Sequence, residues 1–462
     1  MKRYRRKALN DTEILRAIDK KHIWHPFTQM ADWEKDKPLI IERGEGNYLF
    51  DTDGNRYFDG VSSLWVNLFG HRRQEIDAAI RRQLDIIAHS TFLGLSHRTA
   101  IELAQKLLAI APAGLSRVFY SDNGSTAMEI AIKMAFQYWR QKGGGEGKTE
   151  FLTHTEAYHG DTIGSVSAGG IDLFHRIFGP LLFTTQKMPT PHCYRCPYGL
   201  DHEFCSLYCA DRMEGKIREL RATLAAVIVE PLVQGAAGML MMPPGYLARL
   251  RRVTEECDVL LIGDEVATGF GRTGTMFASQ QEGISPDIMT VAKGLTGGYL
   301  PLAATLTTEK IYNAFLGRYE EFKAFFHGHS YTANPLGCAA GLATLAIFEN
   351  EDVLGHVAKL SGMMARELAK LNSCRWVGDI RQRGLMAGIE LVSDRKAKTA
   401  FPSEKRIGQR VITEARKLGI IIRPLGDVVV LMPPLSSTED EIVKLVASVK
   451  VAIQTVLSEE LN

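Results

Sequence analysis

Two ionisable residues stand where chemistry is expected. Asp264 follows the apolar run Val259 to Gly263, and Lys293 follows the apolar run Ile288 to Ala292. A lysine flanked by small and apolar residues loses its water, which lowers its pKa and frees the amine as a nucleophile. A carboxylate on a neighbouring strand can hold a protonated pyridine nitrogen. A Schiff-base lysine and an acidic partner for the ring nitrogen are the two protein groups that pyridoxal phosphate needs. A buried Asp–Lys ion pair without chemistry is the alternative, and these two residues alone leave both open.

Two further stretches add to this pair. Asp122-Asn123-Gly124-Ser125-Thr126 lies between an expected strand and an expected helix. A glycine there lets the backbone approach a phosphate, and a helix start offers free N–H groups and a favourable dipole. A plain helix cap would use the same residue types. In Tyr158-His159-Gly160-Asp161, Tyr158 could stack on a flat ring, although a loop aromatic is more often packing alone.

Other patterns carry less. Gly269 to Gly274 matches G-x-G-x-x-G, but a dinucleotide loop must leave a strand directly and open a helix, and Glu265 to Thr268 intervene. Lys142 to Thr149 (KGGGEGKT) follows a helix and lacks the first P-loop glycine, so it reads as a surface loop. Cys193-x-x-Cys196, eight residues, then Cys205-x-x-x-Cys209 has spacing suited to zinc or an iron–sulfur cluster. Four loop thiols without a ligand are the alternative.

The elements that must position these residues form an α/β pattern. Apolar strands are expected at Val118–Ser121, Ala225–Val229, Val259–Gly263 and Ile288–Ala292. Helices are expected at Gln74–His89, Gly124–Trp139, Tyr246–Cys257 and Pro335–Phe348. Continuous apolar strands belong to mostly parallel sheets covered on both faces, with functional residues at their carboxyl ends. Short strands are expected across Leu39 to Asp59. After the small-residue helix come a helix (Val353–Leu371), strands (Gly384–Leu391), a helix (Lys405–Lys417), strands (Ile420–Met432) and a closing helix from Thr438. The expected units are an amino-terminal segment, 1–60, that packs with the carboxyl-terminal domain, 346–462, and a large domain, 61–345.

The 462 residues carry 55 Lys and Arg against 53 Asp and Glu, a formal charge of +2, which speaks against a nucleic-acid binder. No apolar run reaches membrane-spanning length. The basic start MKRYRRK lacks a following apolar region and so does not read as a signal peptide. Seven cysteines, an odd number, fit a reducing compartment better than a disulfide scaffold. A cytoplasmic protein with a small-molecule ligand and no membrane partner is expected.

The combined motifs resemble the class III pyridoxal-phosphate aminotransferases. LLIGDEVATGFGRTG, then Pro286-Asp287-Ile288, then VAKGLTGG matches the family's cofactor-attachment signature. DNGSTAMEIAIKMA, AYHGDTIG, VIVEPLVQGAAGM and HGHSYTANPLGCAA follow the family's motif order. Within the family, HIWHPFTQM (22–30), DGVSSLWVNLFGH (59–71), IAHSTFLG (87–94), FFHGHSYTANP (325–335) and RPLGDVVVLMPP (423–434) resemble the branch of biotin biosynthesis.

The resemblance implies the aspartate aminotransferase-like fold (PLP fold type I), with a large mostly parallel sheet domain and a smaller α+β domain formed by the termini. It implies pyridoxal 5'-phosphate as cofactor, with Lys293 as the Schiff-base lysine, Asp264 on the pyridine nitrogen, and Gly124 and Ser125 on the phosphate. Tyr158 would cover one ring face and Val266 support the other. His329 and Ser330 would reach the neighbouring subunit's cofactor, which requires a homodimer with active sites at the interface. Phe27, Leu64, Trp65, Tyr158, Asp161, Arg272, Lys293 and Gly328 would line the substrate pocket, and Arg423 would hold a substrate carboxylate. Two positions depart from the branch that uses S-adenosylmethionine as amino donor. Leu64 stands where that branch typically has the first of two tryptophans, and Phe27 where it tends to have tyrosine. A sulfonium gains from an aromatic face, so these residues look more like a lysine-using variant. Another ω-amino acid aminotransferase or an aminomutase of the family is the alternative.

Overall fold

The computed structural model describes residues 2–459, with backbone alone for residues 2–10. The basic start, Met1 to Lys7, lies outside the residues whose side chains are described. Seven strands form the main sheet. Their spatial order is Leu115–Ser121, Ala303–Thr308, Ile288–Val291, Leu260–Asp264, Leu224–Val229, Glu150–His154 and Gln186–Met188. Only Ala303–Thr308 runs against its neighbours, pairing antiparallel with Ile288–Val291 and Leu115–Ser121. Every residue of Leu224–Val229 and Leu260–Asp264 is buried, as expected of strands covered on both faces. The parallel register sets Asp264 beside Thr290 and Gly263 beside Met289. Glu230, Asp264 and Lys293 therefore emerge along one carboxyl edge.

The helix Gly124–Lys142 packs across this sheet. Asn123 caps it: its side chain accepts from the Thr126 backbone N–H, and the Thr126 hydroxyl reaches back to Asn123. Trp139, fully buried near the far end, donates its indole N–H to the Ala225 carbonyl at 2.8 Å. Gly143 then adopts a φ of 83°, which ends the helix. KGGGEGKT is the loop that follows, so its P-loop likeness has no strand behind it.

The two chain ends share a sheet. Ile41–Glu45, Tyr48–Asp51 and Arg56–Asp59 form a meander, and Ile420–Ile421 adds to it parallel to Arg56–Asp59. A second four-stranded sheet orders Val377–Arg383, Met386–Leu391, Val428–Leu431 and Arg423–Leu425. Among the described residues, no helix is long and apolar enough to cross a membrane.

Several elements were not expected, among them the main-sheet strands Glu150–His154, Gln186–Met188 and Ala303–Thr308, and two further differences have a clear physical reason. The helix from Gln74 ends at Leu84 rather than His89. The Gln83 amide donates to the Ile87 carbonyl at 3.0 Å, and Ile86 and Ile87 face outward instead of continuing the apolar stripe. The strand Val377–Arg383 was not expected, because its sequence is polar. Its buried Arg381 is neutralised by Asp379 at 2.7 Å and Glu390 at 2.8 Å. An ion network takes the place of the apolar residue that pattern reading looks for. Asn123→Ala removes the cap of the helix that faces the site, and should lower folding stability by about 1 kcal/mol in urea denaturation.

Candidate active site

A cavity of about 730 Å³ opens at the carboxyl edge of the main sheet. Trp65, Gly124, Ser125, Tyr158, Asp161, Asp264, Val266 and Lys293 all line it. Eight residues singled out from sequence thus converge on one space. Lys293 lies just beyond its strand in the left-handed region, φ 42°, with its amine 4.9 Å from the Trp65 ring centroid. Burial lowers the amine's pKa and the charge of Arg272 adds to this, while Asp264 and Glu230 oppose it.

Among the described residues Asp264 forms no direct ion pair with Lys293. Its Oδ2 lies 2.7 Å from His159 Nδ1, and its Oδ1 accepts from the Val266 N–H at 3.1 Å and the Thr290 hydroxyl at 3.4 Å. The carboxylate is thereby fixed in orientation, with His159 wholly buried behind it. Burial works against charging His159, but the hydrogen bond and charge of Asp264, with Glu230, raise its pKa above the ordinary value.

Glycines shape the wall. A Cβ on Gly124 would meet Val266 Cγ1 at 2.6 Å, and one on Gly160, at φ 113°, would meet Ser125 Cβ at 2.4 Å. Only residues without side chains let the helix start, the Tyr158–Asp161 loop and Val266 come this close. The Ser125 hydroxyl accepts from the Thr162 N–H at 3.0 Å and lies 2.8 Å from the Thr162 hydroxyl.

Trp65 reaches the cavity from an unusual turn. Ser62, Ser63, Leu64 and Trp65 have φ values of 51°, 48°, 70° and 71°. Four consecutive non-glycine residues in this region cost about 1–2 kcal/mol each. Side-chain bonds hold them. Ser62 Oγ donates to the Met432 carbonyl at 2.6 Å, and Ser63 donates to Asp59 through its hydroxyl at 2.6 Å and its N–H at 2.8 Å. Trp65 points in, and Leu64 is 51% exposed at the tip.

Tyr158 donates to Asp161 Oδ2 at 2.8 Å and lies parallel to His175, ring centroids 6.3 Å apart. Phe174 meets Tyr158 edge-on at 6.4 Å and Phe27 at 5.3 Å. Phe27 thus joins the site through Phe174 without lining the cavity.

Other expected residues stand outside the cavity lining. Arg272 is buried, and donates to the Pro433 and Asn67 carbonyls at 2.7 Å each. Burial lowers its pKa to about 9. Its part is to tie the signature loop to distant backbone. Arg423 sits on the strand Arg423–Leu425, and Gly328 and Ser330 are exposed on their loop. His329 Nδ1 lies 2.7 Å from Asp122 Oδ2 of its own chain, beside the helix start.

Sequence reading left out two site residues. Glu230 lines the cavity and accepts from the Tyr158 N–H at 3.1 Å and the Gly235 N–H at 3.0 Å. Burial raises its pKa to about 7. Its place at the end of Leu224–Val229 is the same signal that picked out Asp264. His159 sits inside the motif chosen for Tyr158, and only the fold reveals its contact with Asp264. The Gly269–Gly274 loop closes on itself and on the chain just after it: the Phe270 N–H bonds the Met276 carbonyl at 2.6 Å, and the Gly274 N–H bonds the Gly271 carbonyl at 3.0 Å. That settles the G-x-G-x-x-G match as loop architecture.

With this geometry in place, comparison with known proteins is specific. The family model "Aminotransferase class-III" matches residues 29–453. An adenosylmethionine-8-amino-7-oxononanoate aminotransferase of Nitratidesulfovibrio vulgaris is 57% identical over 96% of this chain and 82% of its own. One of Geobacter sulfurreducens is 51% identical over 96% and 98%. The crystal structure of the Methanocaldococcus jannaschii protein of that name superposes with a TM-score of 0.92 at 47% identity, covering 96% of this chain and 99% of that one. An amine transaminase from an uncultivated Pseudomonas species in a PLP-bound form gives 0.89 at 39% identity, covering 94% and 98%.

The Asp264–His159 pair has a pH signature. A histidine pKa raised by folding contributes stability that is fully present below its unfolded pKa of about 6.5 and is lost as pH rises through the folded value. Asp264→Asn removes that contribution. The stability gap between wild type and variant, measured by urea denaturation without cofactor, should be wider near pH ~6 than near pH ~8.5.

Proposed function

The chain belongs to the class-III aminotransferases, and from that premise we propose that it transfers an amino group to 8-amino-7-oxononanoate, forming 7,8-diaminononanoate in biotin biosynthesis. The carrying observation is the convergence of Lys293, Asp264 and the glycine-lined helix start on one cavity, in a chain 57% identical to a relative bearing that reaction's name. The amino donor is S-adenosylmethionine or lysine. Leu64 and Phe27 are the positions at which that choice is expressed. A cytoplasmic homodimer completes the reading, with Gly328, His329 and Ser330 delivered to the partner's site. The large exposed rings of Phe326 and Tyr331 beside them support this.

The cavity residues fit pyridoxal phosphate. The indole N–H of Trp65 is buried without a protein partner. The start of Gly124–Lys142 can lie against Val266 at the cavity wall because residue 124 has no Cβ. Gly124 and Ser125 would hold the phosphate, Asp264 the ring nitrogen and Lys293 the aldehyde carbon. When bound, the group supplies an electron sink that lets a substrate Cα–H ionise.

The chain's own residues do the rest. Burial keeps a larger share of Lys293 unprotonated, so its Nζ can accept a proton from the substrate carbon and return it. Asp264 must stay aimed at one point, which the contacts with His159, Val266 and Thr290 enforce. Trp65 and Tyr158 wall the cavity with aromatic surface and exclude water from the reacting atoms. Arg423 offers a planar fork of donors suited to the carboxylate of an extended keto acid.

The purified enzyme with cofactor should convert 8-amino-7-oxononanoate when S-adenosylmethionine, lysine and glutamate are compared as donors. Product with none of them would sink this assignment and favour an ω-amino acid aminotransferase. Lys293→Ala should lower kcat/KM by ~10²–10⁴-fold and lose the visible absorbance on dialysis. Retained absorbance would remove Lys293 from its role.

A further inference from the structure

Far from the reaction, four thiols face one another across a void of about 20 Å³. Cys193, Cys196, Cys205 and Cys209 all line it, and all four are free and half-buried. A void of that measure has room for a single small ion or water, since about 10–15 Å³ suffices for one. The backbone is built to turn these side chains inward. The Gly199 N–H bonds the Cys196 carbonyl at 3.0 Å, with Gly199 at φ 67°. The Tyr208 N–H bonds the Cys205 carbonyl at 2.9 Å, and between Cys205 and Cys209 stand Ser206 and Leu207 at φ 45° and 59°. Two consecutive non-glycine residues in this region are strain with no catalytic use, which argues that the turn serves the thiols it aligns.

We propose that Cys193, Cys196, Cys205 and Cys209 form a structural site for one zinc ion, bound by four thiolates. The site is independent of the reaction assigned to the cavity. Four sulfurs with no carboxylate among the lining residues suit a cation that prefers tetrahedral sulfur. Zn²⁺ displaces one proton from each of the four thiols to solvent, no electron moves, and four Zn–S bonds form at about 2.3 Å. No three of the sulfurs lie within 4.8 Å of one another here. The ring of thiols therefore contracts on loading, towards S–S separations of about 3.8 Å, and the irregular backbone from 189 to 207 can follow.

Another cluster competes for attention and fails. His192, Asp379 and Glu390 bring ligand atoms within 4.8 Å of one another. Arg381 and Arg195 already neutralise the two carboxylates at 2.7–2.8 Å, which leaves no charge for a cation.

Zinc at the four thiols would act as a latch. The same loop carries Arg195, which pairs with Glu390 at 2.7 Å, and Tyr194, whose hydroxyl fills the space beside Gly378. Lys398 donates to the Tyr194 carbonyl at 2.5 Å. Pinning this loop to the helix Tyr208–Leu220 therefore joins the main sheet to the carboxyl-terminal sheet.

Metal analysis of the full-length protein, purified under reducing conditions without chelator, should give about one zinc per chain. Cys193→Ser with Cys205→Ser should lose most of it. Cys257→Ser with Cys374→Ser, at cysteines outside the cluster, should keep it. On unaltered protein, titration with a mercurial should release zinc in step with the cluster thiols, so the result does not depend on the variants folding. A metal-free protein with freely reactive cluster thiols, disulfides among them, or iron with acid-labile sulfide would each overturn the proposal.

Discussion

A carboxylate held inside the protein by an equally buried histidine is the constraint on which the rest depends. Asp264 and His159 meet at 2.7 Å beneath the cavity. Burial works against a charge on His159, and the hydrogen bond and charge of Asp264 outweigh it. Placing Asp264 at a strand end and His159 in the facing loop fixes the distance between the main sheet and that loop. Gly160 then lies against Ser125, and Gly124 against Val266, each too close for a Cβ. This contact accordingly ties the strand end to the loop that walls the cavity.

Much of this was legible in the chain. Asp264 and Lys293 stood out because apolar strands end on them, and that logic holds wherever a residue type and a strand end coincide. Glu230 gave the same signal in weaker form, since a following proline reads as a simple strand stop. His159 could not be found this way, because its partner lies 105 residues on. The strand Val377–Arg383 hid for a related reason. Its core position is held by Arg381, whose burial makes sense only once Asp379 and Glu390 are placed around it. Periodicity sees apolar surface, and where a fold buries compensated charge it sees nothing.

The turn from Ser62 to Trp65 shows how site geometry is held against local preference. Its backbone conformation is unfavourable at each of four residues, and its sequence has no glycine to announce it. The conformation persists because both serine hydroxyls and a backbone N–H are anchored on Asp59 and Met432. Strain of this kind is tolerable when the surroundings over-determine it. What it yields is an indole delivered to the lysine amine from a segment that would otherwise pass by.

The anchor on Met432 has a consequence for the order of events during synthesis. All seven strands of the main sheet lie between residues 115 and 308, so that sheet can close while the carboxyl-terminal third of the chain is still unmade. The meander ending at Asp59 gains its fourth strand only from residues 420 and 421, and the turn beside it gains its Ser62 anchor only from residue 432. Until residues 420 to 432 are made, a nascent chain can therefore display the carboxylate and the lysine while the turn bearing Trp65 lacks its Ser62 anchor. The wall of the site is thus completed by residues far along the chain from the sheet that carries its carboxylate and its lysine.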